Sequence, residues 1–251
     1  MAAANTTLAD KSRRRFLSKT GAAVAVGLAA GVRFIDFPNA HAASEAASGA
    51  QRWGMLIDAS KCVSGCNACV QACNDEHGIR GHDRPKTDAQ WIRKVRLRDK
   101  ETGRETSLPL MCQHCEDPPC VDVCPTGASF RRADGIVLVD KHSCIGCRYC
   151  MFACPYKARS FIHENLDDQK PWSPRGKGTV ESCNLCVHRI DEDKGRLPAC
   201  AEACARDGHH AILFGDLNNP TSSVAKAMAE RQSQELRADL GLNTGVRYQN
   251  L

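Results

Sequence analysis

Sixteen cysteines stand in four groups of four, with none left over. They are Cys62-x3-Cys66-x2-Cys69-x3-Cys73, Cys112-x2-Cys115-x4-Cys120-x3-Cys124, Cys144-x2-Cys147-x2-Cys150-x3-Cys154, and Cys183-x2-Cys186-x13-Cys200-x3-Cys204. Disulfides are the first chemistry to weigh, because an even cysteine count is what an exported chain would show. Disulfide frameworks spread their cysteines, however, since cross-linking a longer loop removes more unfolded-state entropy. Tight C-x2-C turns instead converge two thiolates on one metal centre. Zinc ribbons use such pairs too. The third group separates zinc from iron–sulfur. Cys144-Ile145-Gly146-Cys147-Arg148-Tyr149-Cys150, with Cys154-Pro155, is the run of bacterial two-cluster ferredoxins, in which the fourth cysteine ligates the other cluster. The second group, ending Cys124-Pro125, is its partner with a longer third interval.

Four [4Fe–4S] clusters are therefore expected. A cubane held by four thiolates carries one electron at a time and offers no open position to a substrate. The chain then has no catalytic residues of its own and serves as the electron-transport subunit of an oxidoreductase. The alternative from another class is a cysteine-rich structural or metal-storage module. Control of potential rests on hydrogen bonds to sulfur, local charge and exposure. Arg148, Lys157 and Arg159 beside the third group either raise nearby potentials through positive charge or simply solvate the surface.

The elements that must position these groups are short, and an α+β fold follows. Met55-Leu56-Ile57-Asp58 before Cys62 and Val137-Leu138-Val139-Asp140 before Cys144 each read as a strand ending in a turn. Ala211-Ile212-Leu213-Phe214 after the fourth group parallels Arg159-Ser160-Phe161-Ile162 after the third. Two bacterial-ferredoxin-like modules are expected, one inserted in the other. The boundaries are 52–111 for the first half of the outer module with a hairpin, 112–170 for the inner module, and 171–219 for the second half of the outer one. The hairpin comes from the period-two alternation of Trp91 to Arg98 and a turn at Lys100 to Gly103. Residues 220–251 read as a helix and tail, with Thr221 or Ser222 as cap, Val224, Met228 and Leu236 as the apolar face, and Gly241 as the stop.

The first 42 residues read as a signal. Ser12-Arg13-Arg14-Arg15-Phe16-Leu17 is a twin-arginine core, Gly21 to Val32 a weakly apolar stretch, and Ala40-His41-Ala42 a cleavage site. Residues 43–51 read as a flexible leader. A folded, metal-loaded passenger in the periplasm is the expectation. Lys+Arg 34 against Asp+Glu 29 is too mild a balance for a nucleic-acid footprint. No apolar run reaches the roughly 20 residues of a membrane span. With only Phe 7, Trp 3 and Tyr 3 in 251 residues, something besides aromatic burial is expected to help hold the fold. His114 either donates to a sulfur or packs on Pro118-Pro119. Adjacent His209 and His210 would face opposite sides of a strand. Trp172 reads as a surface loop or partner contact, and Asp58 and Asp140 as turn-formers.

The order of the groups, Cys112-Gln113-His114-Cys115-Glu116-Asp117-Pro118-Pro119-Cys120, Leu197-Pro198-Ala199-Cys200, Phe214-Gly215-Asp216-Leu217 and the tail Leu236 to Tyr248 resemble the iron–sulfur electron-transfer subunits of the molybdopterin oxidoreductase family. Dimethyl sulfoxide, polysulfide, tetrathionate and nitrite reductase systems contain such subunits. The extra residue in Cys62-x3-Cys66, Ala205 in place of proline after Cys204, His209-His210-Ala211 and Pro174-Arg175-Gly176-Lys177-Gly178 are similar to the DsrO branch, from the sulfite-reductase-associated membrane complex DsrMKJOP. The resemblance implies ligand sets that cross between groups. Cys62, Cys66 and Cys69 take Cys204; Cys183, Cys186 and Cys200 take Cys73. Cys112, Cys115 and Cys120 take Cys154; Cys144, Cys147 and Cys150 take Cys124. It also implies a polytopic NrfD-like membrane partner (DsrP-like) that reacts with quinone, a multihaem cytochrome c (DsrJ-like), and a role in dissimilatory sulfur metabolism. The alternative within the family is the electron-transfer subunit of an exported molybdopterin reductase such as tetrathionate reductase. The altered first interval puts the geometry around Cys62 in question.

Overall fold

Trp53 to Asp58 form strand β1, buried along its whole length, as the apolar run before Cys62 predicts. The computed structural model describes residues 46–251 except Asp168; the twin-arginine motif and the expected cleavage site lie outside the described residues. β1 is the centre of a three-stranded sheet. On one side it pairs antiparallel with β8 (Ile212–Asp216), Met55 opposite Phe214. On the other it pairs in parallel with β9 (Val246–Gln249), Ile57 opposite Tyr248. The strand before the first cysteine group thus lies beside the strand after the fourth. Ala50, near the end of the leader, and Arg52, just beyond it, are tied to this sheet: the Ala50 carbonyl accepts from Asn218, and the Arg52 N–H donates to Asp216.

The hairpin forms as expected from β2 (Ile92–Arg98) and β3 (Glu105–Met111), with Ile92 opposite Met111 and Asp99 accepting the Glu101 and Thr102 amides in the turn. β4 (Ser129–Arg131) and β5 (Val137–Val139) make a second short hairpin. The parallel drawn between Arg159-Ile162 and Ala211-Phe214 extends to their pairing. β6 (Ser160–Phe161) joins β7 (Val180–Glu181), the short strand that leads into Cys183, as β8 joins the strand that leads into Cys62. The loop between β6 and β7 is clipped down by a buried ion pair.

That pair is Arg175 and Glu181, joined by two hydrogen bonds of 2.9 and 2.7 Å, with a third Arg175 bond of 2.8 Å to the Gly78 carbonyl. The Glu181 side chain is 0% exposed, so it has no water to fall back on. Breaking such a pair from one side costs about 3–5 kcal/mol, while replacing both partners by apolar groups is often neutral. Arg175→Met is expected to lower the denaturant midpoint of the loaded protein accordingly, and Arg175→Met with Glu181→Leu to recover most of the loss.

The helices are short and cysteine-bearing. α1 (Ala68–His77) buries Cys69, Cys73 and His77, spaced four residues apart on one face. α5 (Ala199–Arg206) buries Cys200 and Cys204 in the same way and packs against α1. α2 (Pro119–Asp122) carries Cys120 and packs against α3 (Tyr149–Ala153), which carries Cys150. α4 (Val187–Glu192) follows Cys186 directly.

The C-terminal helix is much shorter than expected. α6 spans Ser223–Glu230, with Ser222 as its cap accepting the Ala225 N–H at 3.1 Å and Val224 fully buried. Leu236 lies beyond it, and Gly241 closes a separate 3-10 turn, Ala238–Leu240. The physical reason is β9. The Gln249 amide donates to the Ala227 and Arg231 carbonyls and Gln234 pairs with Tyr248, so the last turn is satisfied by the sheet instead of by continued helix. Nor do His209 and His210 sit in a strand: both amides donate to the Cys204 carbonyl before β8 begins.

The main core mixes aliphatic side chains with sulfur. Met55, Ile57, Leu108, Met111, Val246 and Tyr248 are fully buried, and Cys69, Cys73, Cys112, Cys115, Cys154, Cys183, Cys200 and Cys204 belong to the same cluster. Trp53 stacks on Phe214 at 5.4 Å and Trp91 packs on His77 at 4.3 Å.

Candidate functional site: four thiol sets

One backbone device recurs in every cysteine group. The residue just before the second cysteine is left-handed in all four: Gly65 (φ 88°), His114 (φ 46°), Gly146 (φ 70°) and Leu185 (φ 55°). That bend turns the chain so that the flanking thiols face one centre. It suits glycine and costs energy at His114 and Leu185. At Gly146 there is a second constraint, since a Cβ would come within 2.1 Å of the Gly178 carbonyl oxygen. Gly65 keeps this bend before Cys66 although three residues separate that cysteine from Cys62.

The folded chain brings the sixteen thiols into four sets. Cys62, Cys66, Cys69 and Cys204 line one cavity. Cys112, Cys115, Cys120 and Cys154 line a second, and Cys144, Cys147, Cys150 and Cys124 a third. In the fourth, Cys73 lies among Cys183, Cys200 and Cys186, the thiols that act on it most strongly. The crossing is built by helix pairs. α1 gives Cys69 to the Cys62 set and Cys73 to the Cys183 set, while α5 gives Cys204 to the first and Cys200 to the second. All sixteen cysteines are free thiols, against the disulfide reading. Among the described residues no three His, Cys, Asp or Glu side chains are close enough to grip a single ion. A zinc site needs sulfurs about 2.3 Å from one ion. Four thiols spread around a wider space suit a cubane.

Electrostatics fit the same group. Burial pushes the Cys69 thiol up to about 11 and Cys112 up to about 12, and raises Cys73 and Cys200 well above the ordinary range. Such thiols stay protonated unless a cation replaces the proton, so loading with iron releases protons and its free energy becomes folding free energy. Backbone amides are already aimed at sulfur: Ser129 N–H to Cys124 at 3.3 Å, Ala158 to Cys154 at 3.5 Å, Val180 to Cys144 at 3.4 Å, Ala211 to Cys204 at 3.2 Å. These donors stabilise negative charge on the ligand sulfurs.

Side chains reach the sulfurs as well, and the sequence reading missed two of them. Lys94 on β2 donates to Cys62 at 3.0 Å. His77, held neutral with its pKa pushed down to about 3 by burial, has Ser173 Oγ 2.8 Å from Nδ1 and Cys186 Sγ 3.4 Å from Nε2. A Ser173 hydroxyl donating to Nδ1 leaves the ring proton on Nε2, facing sulfur. Of the three cations singled out beside the third group, the structure separates the readings. Lys157 is exposed, and Arg148 lies over the Phe161 ring at 3.8 Å. Arg159 is buried and donates to Cys120 at 3.1 Å. His114 is buried, its Nδ1 accepts the Val137 N–H at 3.0 Å, and its Nε2 has no partner among the described residues. Asp58 and Asp140 are turn-formers, accepting the Ser60 and His142 amides. Trp172 is half-exposed and its indole N–H donates to the Glu76 carbonyl.

Neighbouring sets lie within electrostatic reach of one another. Cys69 of the Cys62 set acts on Cys73 and Cys200; Cys112 acts on Cys183; Cys150 acts on Cys120. The order is therefore Cys62 set, Cys183 set, Cys112 set, Cys144 set. Every cysteine of the two middle sets is buried, whereas Cys62, Cys66, Cys124 and Cys144 are partly exposed and Cys147 exposed. Among the described residues, only the two end sets have cysteines that reach the surface. No helix of the described residues is long and apolar enough to cross a membrane.

Comparison with known proteins agrees with this geometry. Residues 104–216 and residues 61–128 each match a family described as a 4Fe-4S dicluster domain. The chain is 41% identical to the Hdr-like menaquinol oxidoreductase iron-sulfur subunit 1 of Archaeoglobus fulgidus, over 96% of this chain and 98% of the relative. It is 34% identical to a tetrathionate reductase subunit of Salmonella typhimurium, over 96% and 89%, and 35% identical to protein NrfC of Escherichia coli, over 92% and 91%. Two dicluster domains, sixteen thiols in four sets and full-length similarity to these relatives place the chain in the family of ferredoxin-like iron–sulfur electron-transfer subunits of oxidoreductase complexes, carrying four [4Fe–4S] clusters.

Proposed function

We propose that the protein passes electrons along its four sets between a quinone-reactive integral membrane partner and a second redox partner, facing the periplasm. The observation that carries this reading is the order of neighbouring sets, with two buried middle sets and two surface-reaching ends. A cluster bound in each set supplies a one-electron relay station. The chain's own residues do the rest: they fix the order, exclude water from the middle and present the ends. The sixteen cysteines act as the ligands in the four sets described above. The two ferredoxin-like modules are read as nested, because β1 and β8 join the ends of the outer one and α1 and α5 share its two sets.

The partner class rests on similarity. The relative from Archaeoglobus fulgidus is named as a menaquinol oxidoreductase subunit, and a menaquinol-reactive partner of the NrfD-like, DsrP-like type fits a chain whose described helices cannot span a membrane. The twin-arginine motif supports export in the folded, loaded state. We place the complex in dissimilatory sulfur metabolism of the DsrMKJOP type, with a DsrJ-like multihaem cytochrome c nearby. The similarity to the tetrathionate reductase relative favours a second reading, with a molybdopterin subunit as the other partner.

Anaerobic purification from solubilised membranes tests both. Co-purification with a polytopic subunit and a haem protein is the expected result. A large molybdopterin subunit in their place supports the second reading. Material that carries no reducible cubane signal in electron paramagnetic resonance refutes both and favours the storage module.

A further inference from the structure

Arg159 occupies an unusual place between two thiol sets. Its residue is 5% exposed, and among the described residues no carboxylate lies within ion-pair distance. Its partners are sulfur and a hydroxyl. Nη2 donates to Cys120 Sγ at 3.1 Å and to Ser129 Oγ at 2.8 Å, and the guanidinium charge also acts on Cys150. Cys120 belongs to the Cys112 set and Cys150 to the Cys144 set, while Ser129 lines the cavity of the latter. Arg159 itself lines the cavity of the former. Two more of its nitrogens, Nε and Nη1, are buried and find no partner among the described residues.

A buried guanidinium with unpaired donors is costly unless negative charge surrounds it. Each oxidised cubane with its four thiolates carries about −2, and each reduction adds one more negative charge. A cation held between two such groups therefore stabilises both, and stabilises their reduced forms more than their oxidised ones. The fork of the guanidinium is what permits one side chain to serve both sets, since its donors diverge in a plane whereas an ammonium is a point charge.

We propose that Arg159 is a shared positioning charge that raises the reduction potentials of the Cys112 and Cys144 clusters together, and leaves the Cys62 and Cys183 clusters unaffected. The proposal rests on the four-cluster assignment and deepens it by saying how the last two stations of the line are kept reducible in step.

The test is potentiometric titration of the anaerobic holoprotein followed by electron paramagnetic resonance, with iron content measured in parallel. In Arg159→Gln, two of the four clusters are expected to need a lower potential for reduction. At fixed potential their reduced-to-oxidised ratio falls at least tenfold, which for one electron corresponds to 59 mV. The other two keep their wild-type midpoints. A loaded variant with all four midpoints unchanged overturns the proposal, and a shift confined to one cluster overturns the sharing. If the glutamine variant does not load, Arg159→Lys decides. Its single ammonium reaches one set only, so one midpoint is expected to hold while the other falls; two unchanged midpoints overturn the proposal. Wild-type protein without four reducible clusters fails the underlying assignment instead, and so is distinguishable from either outcome.

Discussion

Removal of iron from the anaerobic holoprotein with a strong chelator is expected to abolish its cooperative thermal melt, leaving far-ultraviolet circular dichroism without a transition. The core is where this comes from. Cys69, Cys73, Cys112, Cys115, Cys154, Cys183, Cys200 and Cys204 are built into the same buried cluster as Met55, Ile57 and Tyr248, and the paired helices α1 and α5 meet through their cysteine faces. Small domains are stable by about 5–15 kcal/mol, and a structural metal site alone contributes about 10–16 kcal/mol of apparent binding energy in zinc peptides. Losing four such centres exceeds any plausible reserve of aliphatic packing in a chain with so few aromatic residues. Circular dichroism that retains a cooperative melt after complete iron removal contradicts the expectation.

The buried thiols add a pH signature to any compact remnant. Burial raises Cys69 to about 11 and Cys112 to about 12, against about 8.5 for a thiol in an unfolded chain. Between those values the unfolded chain has lost protons that the folded one retains, so stability falls as pH rises. Any compact iron-free remnant is thus expected to weaken progressively as pH rises above about 8.5. The loaded protein lacks this dependence, because its thiolates are already deprotonated by iron.

How much of this was legible in the sequence differs by kind of residue. The ligand groups announce themselves by local spacing, and the hairpin β2–β3 by local alternation. Long-range features do not. β9 reads Val-Arg-Tyr-Gln, an alternation only four residues long and so too short to mark it, and its partner β1 lies almost the whole chain away. Its pairing in turn shortens the helix that local periodicity had extended past Glu230. The left-handed bends show as glycine in two groups, Gly65 and Gly146, and are masked by His114 and Leu185 in the others. Donors to sulfur are the least legible. Lys94 reaches Cys62 across 32 positions and His77 reaches Cys186 across 109, and neither stands beside the cysteine that it touches. Arg159 drew notice because it follows Cys154, yet the sulfur that it donates to is Cys120, 39 positions away.

Cys73→Ala is expected to delete the cluster of Cys183, Cys186 and Cys200 while sparing that of Cys62, Cys66 and Cys69. Sequence proximity argues the reverse, since Cys73 ends the first group. The fold decides otherwise: four residues along α1 separate Cys69 from Cys73, one helical turn, and that turn carries the second thiol from one set to the next. Cys204→Ala provides the mirror image, because α5 places Cys204 in the Cys62 set and Cys200 in the Cys183 set. Each variant is expected to lose one quarter of its iron and one of four reducible signals, and the signals lost are expected to differ. The functional consequences differ as well. Without the Cys183 cluster a buried middle station is missing, so both surface-reaching ends stay reducible by small reagents while transfer between them fails. Without the Cys62 cluster the remaining three still communicate, and exchange fails only with the partner at that end. Loss of the same signal in both variants contradicts the crossed pairing, and undiminished transfer between the ends of Cys73→Ala contradicts the linear order.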